Sequence, residues 1–116
     1  MLTSLVGSEM CIRDSLVFTS GQLPVCREKG GVVEGGVSEQ SRQSLLNLQY
    51  VLQAAGSDLD AVLKTTCYLS DINDFAAFNE VYKEFFETDC PARSCFAVKD
   101  LPSGVKIEIE AIAGRK

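Results

Sequence analysis

The chain has 116 residues, 46% of them hydrophobic and 23% charged, a balance that allows one soluble domain with a core able to fold unaided. Its net charge of −5, with no run of Lys or Arg, argues against a nucleic-acid track, and no apolar stretch nears the twenty residues of a membrane span. There is no histidine, so Ser-His-Asp and Cys-His nucleophile pairs and the commonest transition-metal ligand are excluded.

The five cysteines (Cys11, Cys26, Cys67, Cys90 and Cys95) are odd in number and include no Cys-x-x-Cys pair. With no signal-peptide pattern at the start, reduced thiols in a cytoplasmic compartment fit best, or a mitochondrial one in a eukaryote. Residues 1–15 show neither strand alternation nor helical spacing over a useful length. They read as a poorly ordered terminus. Ser4 to Ser15 also resembles a translated sequencing-adaptor stretch, so this segment is expected to be non-native, leaving residues 16–116 as a single domain.

Leu16 to Ser20 is a short β-rich run stopped by Gly21, and residues 27–36, with four glycines, read as a surface loop. From Ser38 to Ala55, Leu45, Leu48, Leu52 and Ala55 recur at helical spacing, with Gly56 placed as the C-terminal cap. Val62 to Ser70 alternates as a strand, with Leu63, Thr65, Cys67 and Leu69 on one face and Lys64, Thr66, Tyr68 and Ser70 on the other. Asn73 or Asp74 is placed to cap a second helix bearing Phe75, Phe78, Tyr82 and Phe85 as an apolar stripe. Ser94 to Val98 predicts another strand, and Val105 to Ala113 the most regular one. Two helices on one face of a sheet make an α+β layer. The other sheet face, carrying Lys64, Thr66, Tyr68, Lys106, Glu108 and Glu110, is polar, and is either solvated or packed against another subunit around a wet site.

Candidate chemistry is sparse. Arg93, in the turn Pro91-Ala92-Arg93-Ser94, can grip a carboxylate through two parallel hydrogen bonds, or can be one half of a surface ion pair. Glu108 and Glu110 project from one strand face about 6.6 Å apart. One of them can activate a water, or both can simply be a solvent face. Cys95 is either a nucleophile or a half-buried structural thiol. Ser20-Gly21-Gln22 offers a hydroxyl and backbone N–H groups but is also a common turn, and Asn79 lies beside the aromatic stripe in a position where an exposed or capping role is the default.

Together, Ser20-Gly21-Gln22, Lys64-Thr65-Thr66, Asp71 to Phe75, Asn79 to Tyr82, Pro91-Ala92-Arg93-Ser94 and Val105 to Ala111 resemble the RidA (YjgF) family, in its enamine/imine deaminase branch. The resemblance implies a chorismate-mutase-like α+β fold and a homotrimer with clefts between subunits. It also implies hydrolysis of 2-aminoacrylate or 2-iminobutanoate, by-products of pyridoxal-phosphate enzymes, to 2-oxo acids and ammonia, without metal or cofactor. Arg93 would hold the substrate carboxylate and Glu108 would serve the attacking water, with Ser20, Gly21, Asn79 and Cys95 lining the cleft. The alternatives are a non-catalytic carboxylate-binding or chaperone-like trimer, and an endoribonuclease. Family members carry a cleft tyrosine before the first strand. Met1–Ser15 has none, so part of the pocket wall and an edge strand are expected to be missing.

Overall fold

A computed structural model describes residues 9–88 and 90–116. A five-stranded sheet runs in the order β1 (Met10–Arg13), β2 (Leu16–Thr19), β7 (Ile107–Gly114), β5 (Val62–Leu69), β6 (Ala92–Ala97). All neighbours are antiparallel except β5 and β6, whose parallel pairing needs a long crossover. Helix α2 (Phe75–Phe85) supplies it. Helix α1 (Val37–Ala54) lies beside α2 on the same sheet face, burying Leu45, Leu48, Val51 and Leu52 against Val17, Cys67, Ile107 and Ile109. A small hairpin, β3 (Val25–Cys26) with β4 (Gly31–Val32), stands apart from the main sheet and brings regular structure into the stretch expected to be loop.

The helices and the last strand follow from their periodicities. Leu45, Leu48 and Leu52 are fully buried, and Gly56 takes the left-handed conformation (φ 81°) just past the α1 C-cap, Ala55. Along β7 every second residue from Ile107 to Ala113 is buried, leaving Glu108 and Glu110 on the open face.

Four details depart from the sequence expectation. Residues 10–13 form an edge strand paired with β2, and Met10 is only 3% exposed. The edge that Met1–Ser15 was expected to lack is therefore present in its C-terminal part, while residues 1–8 lie outside the described residues. In β5, the pairing shifts between Val62 and Lys64, so that Leu63 is an extra residue. A bulge slips the alternation by one. Val62 turns inward instead, and Leu63 is 56% exposed. Neither Asn73 nor Asp74 caps α2 with a side chain: Asp71 accepts from the Asn73 N–H at 2.9 Å and starts a 3-10 turn that runs into the helix. Finally, Arg93 is not in a turn. It is the second residue of β6, opposite Thr65.

Candidate functional site

The register of β6 decides where Arg93 goes. Thr65 is buried towards the helices, and its partner Arg93 points the same way, at the sheet edge where α2 covers it. About two turns of α2, from Phe75 to Tyr82, then meet the guanidinium. Arg93 Nη1 donates to Asn79 Oδ1 at 2.7 Å, and the guanidinium carbon lies 4.6 Å from the Tyr82 ring centroid, 5.4 Å from Phe75 and 6.0 Å from Phe78. These are cation–π distances, favourable where water is partly excluded. Arg93 is half-buried. Among the described residues no carboxylate pairs with it. The described ion pairs are Arg27–Glu9, Arg42–Glu84, Lys83–Glu80 and Lys116–Asp60. A hollow of about 340 Å³ opens beside Arg93, with Asn79, Tyr82 and Pro91 in its wall.

Cys95 follows Arg93 on the same face of β6, opposite Cys67 on β5. Burial raises the Cys95 thiol above its ordinary value, against a weaker pull from Arg93. Cys67, buried, is pushed up to about 12, chiefly by desolvation. Raised thiol pKa values give no support to Cys95 as a nucleophile, and the hollow beside Arg93 is walled by Cys90, not by Cys95. Among the described residues no group of His, Cys, Asp and Glu side chains is arranged to hold a metal ion.

Glu108 belongs to a second cluster, on the opposite face of the sheet. The Ser20-Gly21-Gln22 segment leaves the end of β2 and is pinned to β7 by two backbone bonds, Gln22 N–H to Ile109 O at 2.7 Å and Ile109 N–H to Gln22 O at 3.2 Å. Thr19 Oγ1 adds a third, accepting from the Ala111 N–H at 3.0 Å. These bonds press Gly21 onto the Glu108 carboxylate. A Cβ built on Gly21 would stand 2.8 Å from Glu108 Cδ and closer still to Oε2, so only glycine leaves the carboxylate where it is. Glu110 is occupied differently: the Tyr68 hydroxyl donates to its Oε1 at 3.0 Å. Glu108 has no donor among the described residues. Desolvation, then the neighbouring Glu110 charge, raises its pKa above the ordinary carboxylate value.

The predicted residues thus divide into two groups. Arg93 and Asn79 meet on the helix side of the β6 edge, with Cys95 two residues further along the same strand face, whereas Gly21, next to Ser20 in the chain, meets Glu108 on the open face. Within one chain they do not converge, and Arg93 has no part in the shift at Glu108. Sequence reasoning had assigned Phe75, Phe78 and Tyr82 to the core and missed that they box the guanidinium. The available signal was that they flank Asn79 at helical spacing and that Arg93 follows on the next strand. The open face also carries apolar side chains that a solvated face seldom gathers: Phe18 at 39% exposure and Phe96 at 46%, the latter stacked edge-on against Tyr68 at 5.4 Å.

The family model described as Endoribonuclease L-PSP matches residues 7–114. A rat protein named 2-iminobutanoate/2-iminopropanoate deaminase is 46% identical over 106 residues, which cover 91% of this chain and 77% of that protein. Among solved structures, E. coli TdcF with bound serine superposes with a TM-score of 0.87 at 45% identity, covering 93% of this chain and 87% of that one. The E. coli YjgF gene product superposes with a TM-score of 0.88 at 41% identity, covering 96% and 91%.

Proposed function

Because the chain belongs to the Endoribonuclease L-PSP family, the RidA/YjgF family, we propose that it hydrolyses small 2-imino acids such as 2-iminobutanoate and 2-iminopropanoate to 2-oxo acids and ammonia. The observation that carries this reading is the state of Arg93. Its guanidinium is half-buried on three aromatic rings, holds one amide oxygen, and has no carboxylate among the described residues. A half-buried cation with guanidinium N–H donors beyond the one given to Asn79 is suited to receive a planar carboxylate. The serine bound in the TdcF structure, a small molecule with such a carboxylate, supports a ligand of that size and class for this chain.

The chemistry asks little more. A protonated C=N carbon is already electrophilic, so catalysis consists of fixing the carboxylate, excluding bulk water and delivering one water to C2. Glu108, with its raised pKa and no donor to it among the described residues, takes the proton as the water oxygen bonds to C2. The resulting carbinolamine collapses when that proton returns to nitrogen: the C–N bond breaks, the hydroxyl proton passes back to the Glu108 carboxylate as C=O forms, and ammonia leaves behind the 2-oxo acid. The Gly21 backbone borders the carboxylate that does this work, Ser20 precedes it in the chain, and Asn79 bonds the arginine, with Cys95 two residues along the same strand.

One chain holds the two halves on opposite sides of its sheet, so a complete site needs the Arg93 edge of one copy against the open face of another. The exposed Phe18, Phe96 and Leu63 support that packing, and a closed ring of three copies satisfies every interface. Five unpaired thiols fit a reducing compartment, the cytoplasm or the mitochondrial matrix.

The family's descriptive name favours a second reading, RNA cleavage. The net charge of −5, and two glutamates on the open face, oppose a polyphosphate backbone and favour the small monocarboxylate. The deciding experiment supplies threonine and a threonine dehydratase, then follows 2-oxobutanoate in a buffer that slows spontaneous imine hydrolysis. Acceleration by the protein is the expected result. Binding of 2-oxobutanoate in calorimetry without any acceleration would make the protein a carboxylate-binding trimer instead, and RNA cleavage that survives stringent repurification would restore the ribonuclease reading.

A further inference from the structure

Arginine is long and flexible, and fixing its head in one place costs rotamer entropy. Asn79 supplies a single hydrogen bond, which leaves the guanidinium plane free to rotate about that contact. The plane is set by something else. Of the three rings around it, Tyr82 is the nearest, at 4.6 Å, and the most deeply buried of the three apart from Phe78, at 5% exposure. Tyr82 is also tied down at its far end. Its hydroxyl and the Thr65 hydroxyl lie 2.8 Å apart, and Thr65 is fully buried on β5. Thr65 is in turn the strand neighbour of Arg93 itself. The Tyr82 ring is further wedged between Phe78, at 5.5 Å, and Phe86, at 4.7 Å. A closed loop results: Thr65 holds Tyr82, Tyr82 carries the guanidinium, and the guanidinium returns through β6 to the residue opposite Thr65.

A buried tyrosine hydroxyl needs a partner, and a phenylalanine would fill the same volume without one. The loop gives the hydroxyl a use beyond packing. We propose that Tyr82 is a positioning residue for the carboxylate grip: its ring is the platform that sets the Arg93 plane, and the hydroxyl bond to Thr65 sets the tilt of that platform. The role rests on the deaminase reading, since it describes how the substrate carboxylate comes to be held. It predicts that Tyr82 governs carboxylate affinity through Arg93 and leaves the chemical step to Glu108.

The test measures two quantities on folded protein, the KM and kcat for 2-iminobutanoate in the dehydratase-coupled assay and the Kd for 2-oxobutanoate by calorimetry. Removing the ring in Tyr82→Leu should raise both KM and Kd by roughly tenfold, the middle of the range for a partly desolvated cation–π contact. The value of kcat should stay within about threefold, because the interaction is made equally in ground and transition states. Tyr82→Phe, which keeps the platform and loses only the tilt bond, should recover most of the affinity. Where Tyr82→Leu fails to fold, Tyr82→Met fills the space without an aromatic face and gives the same readout. In an Arg93→Ala background, Tyr82→Leu should leave the residual affinity unchanged, whereas a merely structural tyrosine would lower it further. Unchanged KM and Kd in Tyr82→Leu, or additive losses in the double variant, overturn the positioning role while the deaminase reading stands. A wild-type protein that neither binds 2-oxobutanoate nor accelerates imine loss removes both.

Discussion

Replacing Arg93 with alanine removes one guanidinium and, with it, three separate things. The substrate loses two charge-assisted hydrogen bonds, each worth about 1.5–3 kcal/mol when one partner is ionised. The carboxylate loses the cation held on Phe75, Phe78 and Tyr82, leaving Lys83, across the same hollow, as the nearest positive charge in its wall. Asn79 loses its 2.7 Å partner, but it is half-exposed and water can replace the bond. The first two effects overlap, so their combined loss is about 3–5 kcal/mol, or roughly 10²- to 10⁴-fold in kcat/KM. Most of it should appear in KM, with a smaller part in kcat from lost orientation at C2. Arg93→Lys keeps the charge and loses the planar fork and the stacking, so a loss of roughly 10- to 100-fold is expected. The assay is the rate of 2-oxobutanoate release from dehydratase-generated imine, with the unfolding midpoint of each variant measured beside it. An Arg93→Ala protein that remains folded and works within twofold of wild type would refute the carboxylate grip.

Three further outcomes follow from the geometry. Glu108→Gln should lose most of its turnover while still binding 2-oxobutanoate, and wild-type activity should fall as pH drops through the raised Glu108 pKa; a flat acid limb in the rate profile would exclude Glu108 as the base. The sign for stability is the reverse. A folded pKa above the unfolded one contributes stability that is full below the unfolded value and is lost as pH rises through the folded value, so Glu108→Gln should be as stable as wild type or more so at neutral pH, as thermal unfolding would show. Gly21→Ala should fold normally, because the atoms its Cβ would meet are the mobile end of Glu108, yet lose about tenfold or more in kcat as that carboxylate is displaced; full activity would break the link between Gly21 and Glu108. Phe96→Asp places a charge on the apolar part of the open face and should leave monomers in light scattering where the proposed trimer is expected of wild type, with activity lost at the same time. Monomers that retain full turnover would show that one chain completes the site.

Much of the fold was legible because it rests on periodicity. Leu45, Leu48 and Leu52 at helical spacing, and Ile107, Ile109, Ala111 and Ala113 at strand spacing, each state which face must leave water, and the structure buries them as stated. What periodicity does not encode is a change of phase. Leu63 is apolar and lies in a clean alternation, yet the extra residue at the β5 bulge turns it outward, and only pairing with β7 creates that bulge. The same holds for residues 10–13, whose own sequence carries no strand pattern and whose strand exists because β2 offers it an edge.

The candidate site divides along the same line. The sequence by itself determined which residues can do chemistry: with no histidine and one arginine in Pro-Ala-Arg-Ser, few side chains remained, and their types and order marked the family. It also placed Glu108 and Glu110 on one strand face, since alternation is a local property of the chain. Only the tertiary structure decided that Glu108 is the available carboxylate and Glu110 the occupied one, because Gly21 and Tyr68 arrive from distant strands. It alone decided that Arg93 faces the helices and Glu108 faces away from them. Which side of a sheet an edge strand presents depends on the register of its partner, and that register is a property of two segments meeting, not of either one.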